Sequence, residues 1–369
     1  MIDLDHAATT ALRPEALAAM LPYFGERYAN ASGGYAAARI AREAIDRSRA
    51  QIAQAIGAKP GEIVFTSGGT ESDNWAVFGA AKASGRRRVV TTRIEHHAVL
   101  RACEALERQG FEVAYAEADG EGRVSPETVR GLVTPDTALV SVMLANNEVG
   151  TIEPVAQIAG IARAFGALMH TDAVQAVGHI PVDVRALGVD LLSISAHKFG
   201  GPKGIGALYV REGTRLLRLM HGGDQERGLR AGTENVPGIV GMAEALRLAV
   251  EEMEETARRV AAMRDALING ILSRVHSARL NGSAADRLPG NVHVTIPGAD
   301  ARTLLLRLDM EGIAASSGSA CASGAAERSH VLVAMGAPEG ADLRLTLGAD
   351  NSMEDVQRAI DALCRILKV

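Results

Sequence analysis

The chain is short of cysteine, of excess basic charge and of long apolar runs, and each shortage removes a class of protein. Three cysteines in 369 residues, Cys103, Cys321 and Cys364, are too few and too scattered for a disulfide framework, so a reducing cytoplasm is the expected setting. Lys plus Arg number 39 against 44 Asp plus Glu, a net charge of −5, which offers no basic excess to nucleic acid or an anionic membrane. No stretch approaches the roughly 18 uninterrupted apolar residues of a spanning helix. The opening residues Met1-Ile2-Asp3-Leu4-Asp5-His6 carry acids where a signal peptide has a basic region, and read as the start of a mature protein. What remains, 47% hydrophobic and 22% charged, is ordinary for a soluble globular chain with small molecules or proteins as partners. Its length exceeds the roughly 250–300 residues of one core, so one large and one smaller domain are expected.

Short β-rich runs alternate with helical periodicity from about residue 35 to 210. That alternation predicts an α/β fold, a mostly parallel sheet covered by helices on both faces. Strands are expected at 62–66, 88–92, 111–116, 138–144, 168–170, 191–194 and 207–210, and helices at 36–56, 76–83, 98–109 and 155–165. A long charged helical stretch, 240–272, bridges into a C-terminal α+β region. That region has expected strands near 290–295 and 342–347, helices near 301–310 and 353–367, and a Gly/Ser/Ala-rich segment at 314–326.

Five segments concentrate reactive side chains. At 65–72 a strand runs through Gly68-Gly69 into a helix, a turn that aims backbone N–H groups at an anion. Alone it reads rather as an ordinary strand-to-helix connection with an N-cap, and it matches neither a Walker loop nor a full Rossmann fingerprint. At Ser195-Ala196-His197-Lys198 an apolar strand delivers a lysine to its carboxyl end, where open α/β sheets bind ligands and where an amine can act as nucleophile and base. Asp172 also ends an apolar strand; it can cap the next helix, hold a pyridine nitrogen protonated, or do both. The adjacent His96-His97 invite zinc, but no Cys or acidic cluster at the usual spacing completes a ligand set, and an imidazole over a cofactor ring fits better. Cys103 and Cys364 lie in helical patterns, as small hydrophobes do. Cys321, in a run of small residues, suits a nucleophile that must attack and then deliver.

Together these blocks resemble the pyridoxal-phosphate-dependent cysteine desulfurases, the NifS/IscS-like branch of the class V aminotransferase family. The resemblance runs from Ile2 to the end. It rests on Asp5-His6-Ala7-Ala8-Thr9-Thr10, the 67–74 turn, Asn146-Asn147-Glu148-Val149-Gly150, Ser195 to Lys198, His221-Gly222-Gly223 with Arg230-Ala231-Gly232-Thr233, and 316–321. It implies the type I fold of pyridoxal-phosphate-dependent transferases. A large domain at 15–255 would hold a mostly parallel seven-stranded sheet, and a small α+β domain, 1–14 with 256–369, would carry the cysteine loop. It implies that Lys198 carries pyridoxal 5'-phosphate covalently, Asp172 pairs with the pyridine nitrogen, Gln175 bonds the ring hydroxyl oxygen and His96 stacks on the ring. Gly69, Thr70, Ser195 and His197 would hold the phosphate, with Thr233 supplied by the second subunit of a homodimer. Asn147 and Arg344 would hold the substrate carboxylate, to which a guanidinium fork is matched.

The implied reaction converts L-cysteine to L-alanine, with Lys198 as base, His96 beside it and Cys321 taking the sulfur as a persulfide. An acceptor protein such as an iron–sulfur scaffold, or a thiolation pathway, would receive that sulfur, with no metal, nucleic acid or membrane involved. Three places depart from the family pattern: Asn30-Ala31-Ser32-Gly33-Gly34-Tyr35 lacks the usual proline and histidine, Asp224 replaces a glycine and Arg328 a proline. The alternatives are a selenocysteine lyase, a transaminase of the same class, and a non-catalytic partner in sulfur trafficking.

Overall fold

The structure is a computed structural model that describes residues 1–318 and 328–369. After β1 (Ile2–Asp3), the chain lays down β2 (Ile63–Thr66), β3 (Arg88–Thr92), β4 (Glu112–Ala116), β5 (Thr137–Ser141), β6 (Leu168–Asp172), β7 (Leu191–Ser195) and β8 (Gly206–Val210). The last seven form one sheet in the order β2-β8-β7-β6-β5-β3-β4. Neighbours from β4 through β7 pair parallel, and β8 runs antiparallel to both β7 and β2. Six strands therefore point the same way. The carboxyl ends of β2, β6 and β7, at Thr66, Asp172 and Ser195, open on one edge, where open α/β sheets place ligands.

The strands are apolar on both faces because both faces are covered. Val89, Leu139, Leu191 and Leu208 pack with Trp75, Val77 and Leu106, while their neighbours Val90, Val140, Leu192 and Tyr209 pack on the other side with Ile45, Ile52, Met242 and Leu246. This alternation across the pleat is what a sandwiched parallel sheet requires. The expected strand boundaries hold to within a residue or two, except that the run drawn to residue 144 leaves the ladder after Ser141. Even there Val142 and Leu144 still donate to the carbonyls of His170 and Asp172, at 3.1 and 2.9 Å.

Two expectations about helices need correction. The helix drawn at 76–83 begins at Gly69, so the glycine turn is itself the helix start. The single stretch expected over 240–272 is two helices, Val236–Glu251 and Met253–Arg274, broken at Glu252. Acids crowd that break: Glu251 and Glu252 burden the C-terminal end of the first helix, whereas Glu254 and Glu255 suit the first turn of the second. The break also marks a change of core. Met242 and Leu246 pack with the large sheet; Val260, Met263 and Leu267 join a second core with Ile2, Leu4, Val292, Leu343 and Ile360.

That second core lies against a three-stranded antiparallel sheet of β9 (Arg279–Leu280), β10 (Asn291–Ile296) and, beyond β11 (Ile313–Ala314), β12 (Ala341–Thr346). The first strand pairs parallel with β11, tying the amino terminus to this unit, a pairing with no signal in local sequence pattern. No helix among the described residues is long and apolar enough to cross a membrane.

Candidate active site

One cavity of about 420 Å³ opens at the carboxyl edge of the large sheet. The helix Gly69–Ala83 points its first turn into it. Gly69 is buried so closely that a β-carbon there would lie 2.7 Å from Val174 Cγ2, which accounts for the glycine. Gly68 has φ +153 and faces Ser195, whose hydroxyl would lie 3.7 Å from a β-carbon at 68. Gly69, Thr70, Ser195 and His197 all line the cavity at this end, and the free N–H groups of a helix start make it suited to an anion.

Asp172, last residue of β6 and buried, lines the same cavity. Its Oδ1 accepts from the backbone N–H of Val174 at 2.9 Å, so it fixes a turn and still faces the cavity; it caps no helix, since the chain runs on in turns to the helix Val184–Leu187, which Asp183 caps. Burial pushes the Asp172 carboxyl above the usual range, opposed by His96, the Val174 N–H and Lys198. His96 is the N-cap of the helix His97–Glu107; its Nδ1 accepts from Ala98 N–H at 3.1 Å, which orients the ring into the cavity. Burial lowers its pKa, with Asp172 pulling the other way.

Lys198 stands on the 3₁₀ turn Ala196–Lys198 that follows β7. Its Nζ donates to the carbonyls of Ala7 and Ala8 at 2.6 and 2.9 Å, and Gln175 Nε2 donates to Ala7 at 3.0 Å. Thr10 N–H and hydroxyl both donate to the His197 carbonyl at 2.9 Å, and Thr9 Oγ1 meets His197 Nδ1 at 3.1 Å. The 5–10 block is thus a strap across the lysine turn, a role its side chains do not announce. Burial, with Lys198 and Lys203 nearby, pushes His197 down to about 4, leaving it neutral at pH 7.

The far wall is Asn147 and Arg344. The Arg344 guanidinium is buried; it bonds Asp5 Oδ1 at 2.8 Å, the Asn147 carbonyl at 3.0 Å and the Gly318 carbonyl at 3.4 Å, and its Nε has no partner among the described residues. The cavity thus brings together every expected site residue but two. Thr233 is exposed and does not line it. Cys321 lies outside the described residues.

Asp73, which sequence reasoning passed over, also lines the cavity. Among the described residues, one group of His, Cys, Asp and Glu atoms lies close enough to hold a single ion: Asp73, His96 and Asp172, within 4.8 Å of one another. His97 is not part of it and packs instead against His330, with ring centroids 4.6 Å apart. The departures from the family pattern lie elsewhere. Asp224 is exposed, Arg328 donates to the carbonyls of Ala337 and Pro338, and in the 30–35 segment Asn30 Oδ1 accepts from Ser32 N–H.

Comparison with known proteins agrees with this geometry. The family described as aminotransferase class-V matches residues 2–359. A cysteine desulfurase IscS of Methanosarcina thermophila is 49% identical over 370 residues, covering 99% of this chain and 91% of that one. A solved NifS-like protein superposes with a TM-score of 0.94 at 38% identity, covering 100% of this chain and 99% of the other. The structure of SspA in complex with cysteine matches at a TM-score of 0.84 and 35% identity, over 95% and 100% of the two chains. With a class-V profile spanning nearly its whole length and desulfurase relatives at this identity, the chain belongs to the class-V aminotransferase family, in its cysteine desulfurase branch.

Proposed function

We propose that this enzyme is a pyridoxal-phosphate-dependent cysteine desulfurase, converting L-cysteine to L-alanine and leaving the sulfur as a persulfide on Cys321. The observation that carries the cofactor assignment is the donor set of the cavity: a lysine amine, a buried carboxylate, an imidazole and a helix start, in one volume of about 420 Å³. The residues present fit the cofactor. Gly69, which has no room for a β-carbon, brings the bare N–H groups of the helix start into the same cavity as the buried Asp172 carboxyl, as a phosphate at one point and a ring nitrogen at another require. When bound, pyridoxal phosphate supplies an electron sink that makes the Cα proton of an attached amino acid removable.

The chain's own residues do the rest. Gly69, Thr70, Ser195 and His197 would hold the phosphate, Asp172 would answer the ring nitrogen and Gln175 the ring hydroxyl, and His96 would cover the ring. Arg344 and Asn147 hold the substrate carboxylate, which turns Cα toward Lys198. Lys198 Nζ takes the Cα proton. Cys321 thiolate attacks the substrate sulfur, so an S–S bond forms as the C–S bond breaks, and protonation of the remaining three-carbon unit yields alanine. The domain division at 15–255 and at 1–14 with 256–369 belongs to this proposal; the second core, which joins Ile2 and Leu4 to residues from Val260 onward, supports it. So does a homodimer: Thr233 is exposed, as a residue lent to a partner must be. We infer an acceptor protein for the persulfide, such as an iron–sulfur scaffold, and a cytoplasmic setting.

The test is cofactor uptake. Wild-type protein mixed with pyridoxal phosphate gains a visible band that survives gel filtration and, after borohydride reduction, maps to the peptide containing Lys198. Reduction products on other lysines, or no band, contradict the assignment.

A further inference from the structure

Asp73 is 1% exposed on the helix Gly69–Ala83, beyond the first turn, where the favourable field of the helix N-terminus has faded. Its carboxyl lies within 4.8 Å of polar atoms of both Asp172 and His96. The two acids differ in what surrounds them. Asp172 has the Val174 N–H, and both His96 and Lys198 favour its charged form. Asp73 has an oxygen with no partner among the described residues, and Ser193 is the hydroxyl that offers it a hydrogen bond.

Among the described residues, the remaining neighbours bring Asp73 no cation. His170 Nε2 stands 3.7 Å from Asp73 Oδ1, but that imidazole is fully buried, bonded at both nitrogens to Ser141 and Ser193 at 2.8 and 3.0 Å, and held down to about 3. From the segment after β3, Glu95 adds another acid, raised to about 8 by burial. Two carboxylates this close and this dry do not both stay ionised. The proton belongs on the acid without counter-charges.

We propose that Asp73 is the proton-holding partner of Asp172, so that the pair presents one negative charge to the cavity, carried by Asp172. Asp73 is then a positioning residue: it acts on the ring nitrogen only through Asp172, and its role toward the ring rests on the cofactor assignment above. A neutral Asp73 leaves a single carboxylate to hold a single ring proton, and the charges of the closed site balance. An ionised Asp73 would add a second charge and make that site bind protons more tightly.

Two readouts test this, one of them independent of the cofactor. In infrared spectra of the full chain without cofactor at pH 7, wild type minus Asp73→Asn shows the carbonyl stretch of a protonated carboxylic acid. Carboxylate bands in its place overturn the proposal. Ser193→Ala serves if the Asn variant fails to fold: the wild-type acid band moves to higher frequency as its hydrogen bond is lost, and an unchanged acid region overturns the proposal. In the loaded protein, Asp73→Asn exchanges neutral for neutral and leaves the pH midpoint of the visible band in place, whereas a midpoint lowered by about one pH unit or more means that a charge was removed. A wild-type chain that takes up no pyridoxal phosphate overturns the cofactor assignment instead, and the shift of the acid band in Ser193→Ala still decides whether the proton lies on Asp73.

Discussion

Glu226→Ala should destabilise the enzyme far more than a residue remote from the cavity suggests. Glu226 and Arg49 are 6% and 8% exposed. Glu226 Oε1 and Oε2 accept from the two terminal nitrogens of Arg49 at 2.6 and 2.7 Å, and Oε2 also accepts from Phe65 N–H at 2.9 Å. Arg49 further donates to the Ile63 carbonyl at 2.8 Å and lies over the Phe65 ring, 4.7 Å from its centroid. The pair therefore pins β2 just before the turn that we assign to the phosphate. Truncating Glu226 strands a buried guanidinium and an amide N–H, a loss of about 3–5 kcal/mol. The double variant Arg49→Met/Glu226→Leu removes both charges and strands only the Phe65 N–H, a loss of about 1–3 kcal/mol. Trp75, the only tryptophan and buried in the helix that begins at Gly69, reports unfolding in urea through its fluorescence. A loss below about 1 kcal/mol for Glu226→Ala, or a double variant no more stable than the single, would refute the reasoning.

Three further outcomes follow from the same structure. Gly69→Ala drives a β-carbon against Val174 and should cost about 1–3 kcal/mol together with cofactor retention, and Val174→Ala in the same chain should restore both, read by thermal melting and the visible band. Arg344→Lys keeps the charge but loses the fork, so KM for L-cysteine should rise roughly tenfold to a hundredfold in steady-state assays. Stability should be greatest between about pH 4.5 and 6.5 and fall on both sides of that window, measured by urea titration across pH. Glu95 and Glu153, raised by burial to about 8, bind protons in the folded state that the unfolded state has released, so their contribution is lost as pH rises toward and through 8, and Glu95→Gln should flatten that limb. His170 and His293, held by burial at about 3, take up protons only on unfolding; between about pH 6.5 and 4.5 the two acids offset them, and below about 4.5, where the acids no longer do so, stability falls steeply.

What could be read in advance follows a physical division. Lys198 and Asp172 stand out because apolar strands end on them, and strand direction alone then sends both to one edge. Asn147 and Arg344 were reached only through the family resemblance, since a turn beyond β5 and the strand β12, far apart in sequence, bring them together. The strap over Lys198 works through the carbonyls of Ala7 and Ala8, and backbone acceptors leave no trace in residue type. Asp73 was missed for another reason: on a helix an acid reads as a solvated residue, and only the packing of that helix on the sheet buries it. The break at Glu252 escaped notice because both helices share one continuous polar pattern, while the change from one core to the other is a tertiary fact.

The most direct test of the central claim is mass spectrometry of the peptide bearing Cys321 after brief incubation of the loaded enzyme with L-cysteine and no reductant. The account predicts a gain of one sulfur atom on Cys321, with alanine formed in equal amount, and neither lasting sulfur transfer nor sulfide release at the wild-type rate from Cys321→Ala. Alanine formed with Cys321 unmodified, or a Cys321→Ala variant that releases sulfide as fast as wild type, would contradict it.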